Sequence, residues 1–543
     1  LKPYWCKWFQ RPNSIQMRTL TSALPSYCRS AMRAVCVVVA LPGIVSIPAE
    51  PQWYDQLVDH FSTDASTFRQ RYYMDRQHFQ GPGSPIFVIL GGEGGIPPAT
   101  GIYYPWVADV LAKRFGAMVV EPEHRFYGES LPFGGESFAR EHLRVMNTQQ
   151  ALADAAAFVR FHQSRANCTP RGTPGYCPVL TIGGSYPGFL SAMMRLRYPA
   201  VVDMAYAASA PMRFYSQQVG QDEYYARVTA SAERAVPGCP AAVRRALEEF
   251  QSFFQNATLA QGASRFGLCE PLPAMHAQDK SLLSSELLFL AEVAFANLNM
   301  ANYPPTSASG LARACATFVA AAARGSDAQL DAIRDLLAPS RTRTVGGRAT
   351  RQSGSTSSAV PGTCFNLSAQ LPGGPHGTAR CGDWSGCGVG RDGEMWDYQT
   401  CTFEVERIGF NASSKMFPSH AWSPEWLREH CARRFGVVPR PRELTSLWGF
   451  DADSLVAQTS KIIFTNGLND GWSVGGFPGD LSARKGLLVV NLPNGAHHSD
   501  LDHGLQGDRD TPDVVAWHAR AAGIIGAWLA EARGGDARHG IVV

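Results

Sequence analysis

The sequence predicts an α/β protein, a sheet of buried parallel strands divided by a long helical insertion. Three observations predict it. Short apolar runs that end in glycine or polar residues recur in two separated regions, 85–182 and 462–490. Helical patterns lie between those runs. The stretch from about Met212 to about Val438 holds mostly helical candidates. Uniformly apolar runs of this length suit strands covered by helices on both faces, and alternation of strand with helix suits a parallel sheet.

The expected strands are 85–90, 117–120, 179–182, 462–464 and 487–490. A helix is expected over 149–161, with Leu152, Ala155, Ala156 and Val159 on one side. Another, over 513–533, follows Thr511-Pro512, a favourable start because proline fits the first turn. It carries Val514, Trp517, Ile524, Ile525 and Trp528. Inside the insertion, helices are expected over 223–232, 241–254, 281–296, 311–324 and 327–337. The segment 341–362 is rich in Arg, Thr, Ser and Gly and reads as a surface loop. The expected organisation is an N-terminal extension with a leader (1–49), a first α/β part (50–211), a helical lid (212–438) and a second α/β part (439–543).

Composition narrows the class. Apolar residues make up 45% and charged residues 17% of 543, which excludes a disordered chain or a coiled coil. The net charge is +3 and no Lys/Arg run occurs, so a nucleic-acid partner is not expected. From Met32 to Val45 one positive charge precedes a short apolar run, and Ser46-Ile47-Pro48-Ala49 follows as a cleavage region. This is a secretory signal pattern, short of the roughly 20 residues that span a bilayer. No later segment is expected to be long and apolar enough to span one. Cys6, Cys28 and Cys36 lie in or before the leader. The other ten cysteines are Cys168, Cys177, Cys239, Cys269, Cys315, Cys364, Cys381, Cys387, Cys401 and Cys431. Their even number fits disulfides of unspecified pairing, and none forms C-x-x-C. Sequons at Asn167, Asn256, Asn366 and Asn411 complete the pattern of a secreted glycoprotein.

The sharpest chemical signal is Ile182-Gly183-Gly184-Ser185-Tyr186-Pro187-Gly188, a strand running into a glycine-flanked serine and then a helix. Such an elbow lifts a nucleophilic hydroxyl out of a sheet. Its G-x-S-x-G pattern is imperfect, with Pro187 at the fifth position and Gly188 one later. A nucleophilic serine needs a base and an orienting carboxylate, in the chain order Ser, Asp, His for this context. Asp470 follows the strand 462–464, and His497 follows the strand 487–490, 27 residues further on. His498 is the rival base. His497, His498, Asp500, Asp502 and His503 crowd together, but no H-E-x-x-H spacing supports a metal site. An oxyanion hole would use the Tyr186 N–H and an N–H near Gly92, in the run Gly91-Gly92-Glu93-Gly94-Gly95. Glu93 would hold a substrate amine or brace its loop. Phe189 and Trp472 flank the nucleophile and the acid, as walls of an apolar pocket or as core.

Taken together, these segments resemble the serine carboxypeptidase S28 family of lysosomal Pro-X carboxypeptidase, dipeptidyl peptidase II and thymus-specific serine protease. The resemblance is carried by Gln56-Leu57-Val58-Asp59-His60-Phe61, Gln70-Arg71-Tyr72, Gly91-Gly92-Glu93-Gly94 and Glu123-His124-Arg125-Phe126-Tyr127-Gly128-Glu129-Ser130. It continues through Gly183-Gly184-Ser185-Tyr186, Ala208-Ser209-Ala210-Pro211, Trp396-Asp397-Tyr398-Gln399-Thr400-Cys401-Thr402, the run from Asn466 to Trp472, and Gly495-Ala496-His497-His498. It implies an α/β-hydrolase fold with a large helical lid inserted between sheet strands, and a Ser185–Asp470–His497 triad. It also implies a Cys401–Cys431 disulfide, no cofactor, and cleavage of peptides next to proline, at either chain end. Secretion to the extracellular space or the lysosome is expected, and a homodimer stays open. Two departures stand out. The family often has glycine where Pro187 stands and proline where Gly471 stands. Variation after Ser-Tyr leans toward the thymus-specific branch. An esterase or lipase with the same triad, and a catalytically silent secreted binding protein, are the rival readings.

Overall fold

The computed structural model describes residues 50–337, 364–374, 377–410, 416–502 and 510–534. The expected leader, the loop 341–362, Asn411 and His503 lie outside those residues. Among the described residues eight strands form one sheet: β1 (Gln52–Leu57), β2 (Thr67–Asp75), β3 (Ile86–Ile89), β4 (Met118–Pro122), β5 (Val179–Gly184), β6 (Met204–Ala208), β7 (Ile462–Gly467) and β8 (Leu487–Leu492). Their order across the sheet is β1-β2-β4-β3-β5-β6-β7-β8. β1 and β2 pair antiparallel, as do β2 and β4, and every pairing from β4 to β8 is parallel.

All five expected strands are present. Three further strands carry no apolar run that would reveal them. β1 alternates exposed with partly buried residues at the sheet edge, and β2 begins Thr67-Phe68-Arg69-Gln70-Arg71, polar but for Phe68. β6 is Met-Ala-Tyr-Ala-Ala, a composition that favours helix in isolation. It is a strand because its small side chains fit between β5 and β7, fully buried.

The helices that matter here are α1 (Thr148–Arg165), α2 (Tyr186–Arg197), α3 (Met212–Tyr215), α4 (Glu223–Ala235), α5 (Cys239–Asn256), α6 (Lys280–Met300), α7 (Gly310–Ala322), α8 (Ser326–Leu337), α9 (Gly390–Thr400), α10 (Pro424–Phe435) and α11 (Pro512–Ala532). Asn147 caps α1 by accepting from the Gln150 N–H at 3.0 Å. On one sheet face, Trp517, Ile525, Trp528 and Leu529 of α11 pack with Phe87, Val119, Leu180 and Ile463. On the other face the apolar core runs unbroken from Ile86, Val88 and Leu190 into Phe250, Leu287 and Phe318 of the insertion between β6 and β7. The fold is therefore an α/β-hydrolase sheet with a helical cap that shares the core of the sheet.

One expectation is corrected. α6, 21 residues with mean hydropathy 1.4 over its most apolar window, is long and apolar enough to cross a membrane. It packs among α4, α5, α7 and α8 and buries Glu286, Glu292 and Asn299, and it is apolar because protein surrounds it. The ten cysteines pair as Cys168–Cys177, Cys239–Cys315, Cys269–Cys364, Cys381–Cys387 and Cys401–Cys431. The last ties the end of α9 to α10, as the resemblance implied.

Candidate active site

Ser185 sits between β5 and α2 with φ 63° and ψ −133°, a conformation that non-glycine residues rarely adopt. Its N–H donates to the Ala208 carbonyl at 2.9 Å, which ties the turn to β6. The neighbouring glycines are required by contact. A Cβ on Gly183 would lie 2.1 Å from the Pro187 carbonyl oxygen, and one on Gly188 would lie 2.7 Å from the Ala208 carbonyl oxygen. Gly188 thus provides a close approach to β6 although Pro187 occupies the motif's fifth position. Pro187 is accommodated in the first turn of α2. Its ring lies over Gly92, where a Cβ would stand only 2.6 Å from Pro187 Cγ. The glycine-rich run is thereby brought to the elbow.

Asp470 and His497 come together from the loops after β7 and β8. A Cβ on Gly467 would lie 2.0 Å from the Ala496 carbonyl oxygen, so the two loops touch backbone to backbone. Asp470 is fully buried. Its Oδ1 accepts from the Trp472 N–H at 3.0 Å and its Oδ2 lies 2.5 Å from His497 Nδ1. The end of α6 braces both loops. Asn299 Oδ1 accepts from the Gly471 N–H at 2.7 Å, its amide donates to the Asn469 carbonyl, and the His497 N–H donates to the Met300 carbonyl at 3.1 Å. These contacts account for the departure at Gly471. A proline there would lose the N–H that Asn299 binds, and a Cβ would already stand 2.7 Å from the Tyr224 ring.

His498 is occupied elsewhere. Its N–H donates to Ser209 Oγ at 3.0 Å, its Nδ1 lies 3.2 Å from Asp502 Oδ2, and its ring packs on Gly184 and Tyr104. Burial disfavours its charge, but the Asp502, Asp500 and Asp470 carboxylates together hold its pKa above the ordinary value. His497, rather than its rival, meets the buried acid. The Ser185 hydroxyl is half-buried, and among the described residues no hydrogen bond joins it to His497. Such contacts are often long before substrate binds.

The run Gly91–Gly95 is fixed at its base. A Cβ on Gly91 would lie 2.5 Å from the Pro122 carbonyl oxygen. Glu123, fully buried, accepts from the Ile96 N–H at 2.9 Å, the Glu129 N–H at 2.9 Å and Ser130 Oγ at 2.8 Å, and pairs with Arg71 at 2.5 Å. The sequence marked Glu123 only as part of a family block. Burial raises the Glu93 carboxyl, while His497 and His498 pull it back. Tyr186 is buried with its hydroxyl 3.1 Å from His124 Nε2, and burial pushes His124 down to about 4. Trp472 is half-buried, its ring 5.0 Å from Tyr224, 5.5 Å from Phe214 and 6.3 Å from His497. Phe189 differs from the pocket-wall expectation. It is 0% exposed, packed on Tyr215 and Phe450, and presents no surface to a substrate. Asn167, Asn256 and Asn366 are exposed, as glycan acceptors must be.

The fold and family together define a serine peptidase of the α/β-hydrolase class. More narrowly, the chain belongs to the serine carboxypeptidase S28 family, whose model matches residues 56–520. It is 31% identical over 463 residues to the lysosomal Pro-X carboxypeptidase of Mus musculus, covering 83% of each chain. It is 30% identical over 485 residues to the Homo sapiens lysosomal Pro-X carboxypeptidase, covering 87% of this chain and 88% of that one. The Homo sapiens thymus-specific serine protease is 36% identical over a shorter stretch of 240 residues, 42% of this chain and 44% of that one.

Proposed function

We propose that this peptidase cleaves peptides after proline through a Ser185–His497–Asp470 triad and an acyl-enzyme. The single observation that carries the reading is the 2.5 Å contact between buried Asp470 and His497, on loops held against one another beside the strained elbow of Ser185. Ser185 Oγ attacks the scissile carbonyl and His497 Nε2 takes its proton. The same imidazole then protonates the departing amine. Asp470 holds the Nδ1–H tautomer and stabilises the imidazolium. The Tyr186 N–H and an N–H near Gly92 receive the oxyanion, each worth roughly 3 kcal/mol. Water then attacks the acyl-enzyme by the same relay in reverse.

The near full-length similarity to Pro-X carboxypeptidases favours release of a C-terminal residue, with Trp472 as one wall of the proline pocket. It also favours a lysosomal or secretory location, consistent with five disulfides. Glu93, in the Gly91–Gly95 run, would hold a substrate amine or brace its loop. Ser185→Ala should abolish hydrolysis of Pro-containing peptides and labelling by a fluorophosphonate while the circular dichroism stays native. Retained hydrolysis would overturn the assignment. Mass analysis of a digested peptide library would show which end shortens and by how many residues, and preference for acyl esters over peptides would favour the esterase reading.

A further inference from the structure

Four glycines in the run Gly91–Gly95 give the oxyanion loop great backbone freedom, so its position must be imposed from outside. The sheet imposes it on one side. Glu123 Oε1 accepts from the Ile96 N–H at 2.9 Å, and Arg71 donates to the Ile96 carbonyl at 2.8 Å. On the other side stands a residue of the helical insertion. Asp392, in the first turn of α9, accepts from the Gly95 N–H through Oδ2 at 3.2 Å. The Gly128 N–H acts on the same carboxylate. Gly95 and Gly128 are in contact, since a Cβ on Gly95 would lie 2.7 Å from Gly128 Cα. Glycine at both positions allows the close backbone approach that leaves the Gly95 N–H open to the carboxylate. Beside it, the Arg391 guanidinium lies 4.9 Å from the centre of the Phe138 ring, which fixes the same turn of α9 to the sheet domain.

We propose that Asp392 is a positioning residue that sets the oxyanion loop from the helical insertion. The inference rests on the triad reading above, because the loop matters to chemistry only if Gly92 faces the oxyanion. Asp392 touches no reacting atom. It acts through Gly95, and a misplacement of about 1 Å in such a donor costs roughly a hundredfold in rate. The insertion then does more than cover the site: its seating completes the oxyanion geometry, so a shift of α9 moves the donor.

The test uses the full chain, a peptide ending in Pro-X, and a fluorophosphonate probe. Asp392→Ala should lower kcat by about ten- to hundredfold with KM within about twofold, and slow probe labelling by the same factor. Asp392→Asn, which keeps an acceptor oxygen, should return both to within about threefold of wild type. Wild-type kcat and labelling in Asp392→Ala, or equal impairment in Ala and Asn, would overturn the proposal. Should the alanine variant not fold, Asp392→Glu decides. It keeps the charge but displaces the oxygen by one methylene, and wild-type kcat in that variant would overturn the positioning role. Hydrolysis that survives Ser185→Ala would reject the triad reading instead. An inert Ser185→Ala beside an unimpaired Asp392→Ala would reject this inference alone.

Discussion

Asp470 accepts one hydrogen bond from its own turn and keeps its other oxygen for His497. Its proposed work is orientation, so the isosteric amide should preserve the fold and lose the tautomer. Asp470→Asn is expected to lower kcat by roughly a thousandfold or more, with KM little changed. Steady-state kinetics on a Pro-containing peptide checks this, and a loss smaller than about tenfold would count against the relay. The residue types and chain order of this trio were legible in the sequence, because each follows a recognisable strand. The choice between His497 and His498 rested on the family resemblance. In the structure the two rings meet different carboxylates, Asp470 for His497 and Asp502 for His498. Phe189 misled for a related reason. Proximity to the nucleophile in sequence does not say which side of α2 a ring faces, and this one faces the core.

At the scale of elements, the cap is held to its shape by cross-links as well as packing. Cys401–Cys431 closes 30 residues between α9 and α10. In the chain-entropy description a loop of that length is worth about 3–4 kcal/mol. Replacing both cysteines with serine should therefore lower the melting temperature by several degrees, read by calorimetry under non-reducing conditions. An unchanged melting temperature would mean the helices hold themselves. Because α9 carries Asp392, the same double variant should also slow hydrolysis at temperatures where it remains folded. Five helices of the insertion, α4 to α8, were legible within a few residues of their ends, whereas α9 and α10, which mix buried polar residues with apolar ones, were not. β1, β2 and β6 were not, because edge exposure and small side chains erase the apolar run that marks a strand.

The whole molecule carries an unusual set of buried acids, and their titration predicts how stability follows pH. Burial pushes Glu121 up to about 8, Glu404 up to about 7 and Asp383 up to about 6. Between their ordinary values and these, the folded chain keeps protons that the unfolded chain has released, so stability falls as pH rises. Burial pushes His124 and His162 down to about 4, which works in the opposite sense below about 6.5. Above that the acids remain, joined by His498, whose raised pKa acts in the same sense as theirs. The melting temperature should therefore decline from about pH 6.5 to pH 8, and Glu121→Gln should flatten part of the decline. A melting temperature that rises over this interval would contradict the balance.

Sequence alone determined the layered α/β plan, the insertion, and the three side-chain types at the ends of their strands. Periodic burial and turn chemistry are local properties, and they survive in a linear string. Only the tertiary structure decided that α6 packs among α4, α5, α7 and α8, that Gly471 makes room for Tyr224, and that Asp392 reaches Gly95 across 297 residues. Those facts depend on which surfaces meet after the chain closes on itself. Contacts between distant segments leave no period behind them.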